Sequence, residues 1–88
     1  MTALKLFPLG QVVIALGATA LGIDFAPYLE RHQSGDWGDL SEENAEINNL
    51  CVDRNFPIVS MYSANQRSFL IVTESDRSVT TVCTPDEY

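Results

Sequence analysis

The residues best placed to do chemistry cluster in one stretch, His32-Gln33-Ser34-Gly35-Asp36-Trp37-Gly38-Asp39-Leu40-Ser41-Glu42-Glu43-Asn44, with Glu46 just beyond it. It holds the chain's one His and one Trp, and Asp36, Asp39, Glu42, Glu43 and Glu46 supply five of the twelve carboxylates. No Lys or Arg stands between Gln33 and Val52. Acids gathered this way make a concentrated negative field, which complements a basic surface. A hydrolase built on His32 would need a nucleophile and an orienting acid. No Ser occupies a Gly-x-Ser-x-Gly elbow and no Cys has an activating neighbour. Asp36 and Asp39 flank a turn where Asp side chains satisfy backbone N–H groups. The segment also lacks the alternating oxygen ligands of a calcium loop. With one His, Cys51 and Cys83 have no zinc-ligand set around them. No catalytic residue, metal or cofactor is therefore expected, and the chemistry on offer is binding. The candidate partner-binding residues are Asp36, Trp37, Asp39, Glu42, Glu43, Glu46 and Asp53. For Trp37, lying between Gly35 and Gly38, a plug sealing helices against a sheet is the stronger expectation.

These side chains need a scaffold. Gln11 to Ala15 is a β-branched run without polar alternation, which predicts a strand buried on both faces or tucked under helices. A short Ala-rich helix follows over Gly17 to Leu21, with Gly22 after its end. Asp24 and Pro27 mark the start of a second helix. Phe25, Tyr28, Leu29 and His32 share its apolar face, and Gly35 stops it. His32 in the last turn is expected beside Trp37, its imidazolium favoured by the helix dipole. Ser41 caps a third, acidic helix. There Ile47, Leu50 and Cys51 are expected to point inward, beside a polar stripe of Glu42, Glu46, Asn49 and Asp53.

From Pro57 the period changes to two. Ile58–Tyr62, Ser68–Thr73 and Ser78–Cys83 read as strands of an antiparallel meander, with a hairpin loop at Ser63–Arg67. The N-terminal strand can add at an edge. In the turn Glu74-Ser75-Asp76-Arg77, Arg77 is expected to answer Glu74 or Asp76. Asp86-Glu87-Tyr88 reads as an exposed tail. The order β, α, α, α, β, β, β predicts an α+β single domain over 1–88, a three- to four-stranded, mainly antiparallel sheet with a helical layer on one face.

A chain of 88 residues, 45% hydrophobic, is long enough for one modest core. Its net charge of −7 repels nucleic-acid phosphates and anionic membranes, so neither is expected as a direct partner. A basic host protein or nucleoprotein complex is. Ala18-Thr19-Ala20 has the look of a signal-peptidase site, but Pro8 and Gln11 interrupt the apolar run before it, and a cytoplasmic location in a bacterial host is expected. Cys51 and Cys83 are read as small buried apolar side chains, with a bridge as the lesser option.

Phe7-Pro8-Leu9-Gly10-Gln11-Val12-Val13, Arg31-His32-Gln33-Ser34-Gly35-Asp36-Trp37-Gly38-Asp39, Thr73-Glu74-Ser75-Asp76-Arg77-Ser78-Val79-Thr80-Thr81 and Pro85-Asp86-Glu87-Tyr88 carry a resemblance. With these segments the chain resembles a family of small plasmid- and mobile-element-borne proteins, often labelled type I restriction endonuclease subunit M or plasmid-related protein. The first label does not fit, because no methyltransferase cofactor motif is present. Ala15-Leu16-Gly17, Asn44, Cys51 and Cys83 depart from the family pattern. The resemblance implies carriage among accessory genes of conjugative elements, and that setting together with the acidic charge points to an anti-defence role. An anti-CRISPR, blocking the basic nucleic-acid channel of a CRISPR-Cas effector with its acids, is one form of it. The alternative is a plasmid-maintenance interaction module that binds through the Trp37 region or a sheet edge.

Overall fold

The computed structural model describes residues 5–88. Strand β1 (Gln11–Ile14) leads through a one-turn helix α1 (Leu16–Thr19) to α2 (Ala26–Gln33) and α3 (Glu42–Val52). Strands β2 (Ile58–Ala64), β3 (Arg67–Thr73) and β4 (Val79–Cys83) follow, and a 3-10 turn spans Pro85–Glu87. The protein is an α+β domain whose sheet has the order β1-β4-β3-β2. The expected meander is present, with β3 antiparallel to both neighbours, while β1 joins β4 in parallel.

Side chains alternate across this sheet. Ile58, Ser60, Tyr62, Phe69, Ile71, Thr73, Thr80 and Val82 face the helices, and nearly all are fully enclosed. Phe69, Ile71, Tyr62 and Val82 pack with Ala18 of α1 and with Phe25, Tyr28 and Leu29 around α2. Ile58 packs with Phe7 and Trp37, against Ala45, Cys51 and Val52 of α3. Leu70, Val72 and Cys83 lie on the opposite face. The two Cys are free and sit in clusters on opposite sides of the sheet, so no bridge joins them.

Several elements differ from expectation. Strand β1 is exposed along its whole length, because among the described residues no helix reaches over that edge. The hairpin loop shrinks to Asn65 and Gln66, both at positive φ, the two-residue turn whose twist matches that of the strands it joins. Asp24 acts from one position outside the helix, accepting from the Ala26 N–H. The tail is exposed as expected but folded back rather than free: Glu87 accepts from the Thr84 N–H and hydroxyl with one oxygen and from the Gly17 N–H at 2.7 Å with the other. Those donors hold its carboxyl below the usual range. Ala18 is fully enclosed in the core, so the peptidase-like tripeptide Ala18–Ala20 forms the end of α1 and its C-cap.

Arg77 does not answer a carboxylate. It sits at positive φ, and its guanidinium donates to the carbonyls of Cys51, Arg54 and Phe56 at 2.7–2.8 Å and of Glu74 at 3.1 Å. Cys51 lies in the last turn of α3, whose carbonyls have no partner within the helix, and Arg54 and Phe56 follow it, so the planar fork of Arg77 ties the end of α3 and the segment after it to the β3–β4 turn. Arg77→Lys keeps the charge and loses the fork. Urea unfolding should show about 2 kcal/mol less stability, the scale of hydrogen bonds made by a charged group. A loss below about 0.5 kcal/mol would mean that water satisfies those carbonyls equally well.

Candidate interaction site

Gly35, at φ +89°, ends α2 and turns the chain back toward the sheet. Asp36 is then clamped from several sides. Its carboxylate takes the Arg31 Nε–H at 2.7 Å and the Gly38 N–H at 3.2 Å, while its carbonyl accepts the Tyr62 hydroxyl at 2.6 Å. The Arg31 guanidinium, lying 4.8 Å from the centre of the Tyr62 ring, is the main cause of the lowered Asp36 pKa. Burial pushes the Tyr62 hydroxyl up to about 12. Both partners of the Arg31–Asp36 pair are about half exposed, so the charge attraction itself contributes at most about 1 kcal/mol.

Trp37 is 5% exposed, with its indole N–H donating to Asn49 Oδ1 at 2.9 Å. It stacks beside Phe7 and meets the His32 ring edge-on. The Trp37 carbonyl accepts the Met61 N–H, and the Asp39 N–H donates to the Met61 carbonyl at 2.7 Å. Asn48 of α3 does the same for the next outward-facing residue of β2: its side-chain amide donates to the Val59 carbonyl and accepts the Val59 N–H. The conspicuous Asp-Trp-Gly-Asp segment and Asn48 thus cover the free edge of β2.

Asn48 is the buried polar residue of α3, while Ile47 and Leu50, expected inside, are 51% and 58% exposed. The helix is turned by the Asn48 tie, so Ala45, Asn48, Cys51 and Val52 face inward. Ser41 caps α3 as expected, its hydroxyl accepting the Asn44 N–H. Glu42, Glu43, Glu46 and Asp53 are all exposed on α3 and its end, and among the described residues no cation lies within ion-pairing distance of them. Beside them Ile47, Leu50, Arg54, Phe56 and Pro57 line an open groove of about 420 Å³, predominantly apolar.

The candidate residues therefore separate. Asp36 and Trp37 are engaged in the fold, and Asp39 spends a backbone N–H on β2 and a carboxylate oxygen on the Ser63 hydroxyl. Glu42, Glu43, Glu46 and Asp53 remain free. Helical spacing and the Ser41 cap predict this outward stripe. Asn48, Asn49, Tyr62 and Arg77 carry structural roles with no sequence signal beyond an Asn pair set inside a helix, where Asn is a poor former.

His32 packs beside Trp37 in the last turn of α2, as expected, but its charge state departs from expectation. Its side chain is fully enclosed, with Nδ1 against the Ser60 hydroxyl and Nε2 2.9 Å from Thr73 Oγ1. Thr73 meets Thr80 at 2.8 Å, and Thr80 donates to the Leu9 carbonyl at 2.7 Å. Each hydroxyl has one proton, so the direction of the chain is fixed from its end. Thr80 gives its proton to Leu9, Thr73 gives its own to Thr80, and Thr73 then accepts the Nε2–H of a neutral imidazole. Ser60 donates to Nδ1. Burial, and secondarily the charge of Arg77, lowers the His32 pKa to about 3 and overrides the helix dipole.

Among the described residues, no three His, Cys, Asp or Glu side chains converge as a metal site, and no helix is long and apolar enough to cross a membrane. Comparison with protein-family models, with curated proteins and with solved structures found no match.

Proposed function

We propose that the protein is a non-enzymatic binding module that covers a basic, nucleic-acid-binding site on a host complex. This is an anti-defence role, of anti-CRISPR type, supported by the acidic surface together with the mobile-element setting that the resemblance implies. The observation that carries the reading is the outward side of α3, where Glu42, Glu43, Glu46 and Asp53 stand exposed and unneutralised. One turn separates Glu42 from Glu46, about 6 Å along the axis. A row of carboxylates on a rigid helix can take the place of phosphates in a basic channel. Exposed Ile47 and Leu50 lie between these acids and supply the apolar contact that charge alone lacks. Asp36, neutralised by Arg31, takes a supporting place. A plasmid-maintenance module docking through Trp37 would first have to draw that ring out of the core.

The test is capture from the bacterial host, followed by binding measurements on the captured complex at two ionic strengths. The triple charge reversal Glu42→Lys, Glu43→Lys, Glu46→Lys should weaken binding at least about a hundredfold, and raising salt should weaken the parent chain steeply. Undiminished binding by the reversed variant would end the reading.

A further inference from the structure

The two edges of the sheet are treated differently. That of β2 is covered by Trp37, Asp39 and Asn48, as described above. That of β1 has no covering element among the described residues, and Val12, Val13 and Ile14 are each about 40% exposed. Exposed edges are normally blunted by a charge, a Pro or a bulge, because they template pairing with another chain. Within Gln11–Ile14 there is none of these.

We propose that this edge pairs with the same edge of a second copy, joining two sheets into one. The register follows from the backbone. The Gln11 N–H goes to the Ser78 carbonyl and the Ala15 N–H to the Val82 carbonyl, so the odd-numbered residues of β1 face β4. Val12 and Ile14 turn their N–H and C=O groups outward. An antiparallel mate centred on Val13 lets Val12 of each copy exchange hydrogen bonds with Ile14 of the other, and places Val13 against Val13.

Charge singles out a second copy as the occupant. From Leu6 to Ile23 no side chain is ionisable, in a chain of net charge −7. The two-fold of an antiparallel pair stands perpendicular to the sheet, so both helical layers lie on the same side. The acidic helix α3 packs beside β2, at the edge farthest from β1. In the joined sheet the two α3 helices therefore lie at opposite ends, seven strand spacings or about 34 Å apart, far beyond the ~8 Å screening length at physiological salt. Four-residue strands make a small interface, well under the ~1,600 Å² of standard complexes, so the dimer is weak and concentration-dependent.

Sedimentation of the full chain from about 10 µM to 1 mM reads this equilibrium. The parent should shift from monomer to dimer. Val13→Asp places like charges opposite each other and should weaken association at least about tenfold, whereas Val13→Thr should preserve it. In the parent, amide exchange at Val12 and Ile14 should slow as concentration rises. A parent that stays monomeric at 1 mM overturns the proposal, as does a dimer that survives Val13→Asp or leaves those two amides unprotected. None of these outcomes bears on the acidic face of α3.

Discussion

Gly38→Ala should cost about 3 to 5 kcal/mol, a large share of the roughly 5–15 kcal/mol that holds a domain of this size folded. Two effects add. Gly38 has φ +74°, where a Cβ costs about 1 kcal/mol by itself. The added Cβ would also run into the Met61 carbonyl and lie 2.6 Å from Tyr62 Cδ1. The carbonyl belongs to a strand held on its other side by β3, and the ring is enclosed in the core, so neither can yield cheaply. Relief means peeling Trp37 and Asp39 from the β2 edge. Gly22→Ala is the control, since Gly22 has φ +67° and open space where its Cβ would go. It should lose only about 1 kcal/mol, or roughly 4–8 °C in melting temperature. Thermal melts of the two variants separate the steric contact from the backbone preference. Equal losses would mean that the Asp-Trp-Gly-Asp segment is not held against β2.

The period-two runs after Pro57 made the meander and its antiparallel pairing legible, because each strand buries one complete face against the helices. The direction of β1 was not legible. An apolar run of four residues fits equally well inside a parallel sheet or at its exposed edge, and only the reach of the helical layer decides. The inward face of α3 was misjudged for a related reason. Ile47 and Leu50 have helical spacing, but the helix is oriented by the two hydrogen bonds between Asn48 and Val59, and a polar tie leaves no apolar periodicity.

The same limit applies at the candidate site. The free acids of α3 could be read from Ser41 and the helical period. The neutralisation of Asp36 could not, because Arg31 meets it across the end of α2 rather than along a helix. His32 reaches Ser60 and Thr73 from 28 and 41 residues away, a separation no local pattern reports.

That enclosed His32 gives the second large effect, a loss of stability on mild acidification. In the unfolded chain His32 titrates at its ordinary value near 6.5, while in the folded chain it resists protonation down to about 3. Below pH 6.5 the unfolded state therefore binds the extra proton. The contribution of the neutral ring is complete above that pH and falls by up to about 1.4 kcal/mol per unit as pH drops toward about 3. Between pH 6.5 and 4.5 the domain should lose about 2 to 3 kcal/mol, a window that lies above the titration of most carboxylates. The carboxyl of Asp36, lowered by Arg31, adds its smaller share at more acid pH. Urea midpoints at several pH values for the parent and for His32→Gln test this, because the glutamine variant, whatever its absolute stability, should lack the slope in that window. A parent whose stability is flat from pH 6.5 to 4.5 would show that the ring gains a proton without unfolding. The Ser60-to-Leu9 chain would then not be the one-directional network in which Thr80 leaves Thr73 no acceptor but itself.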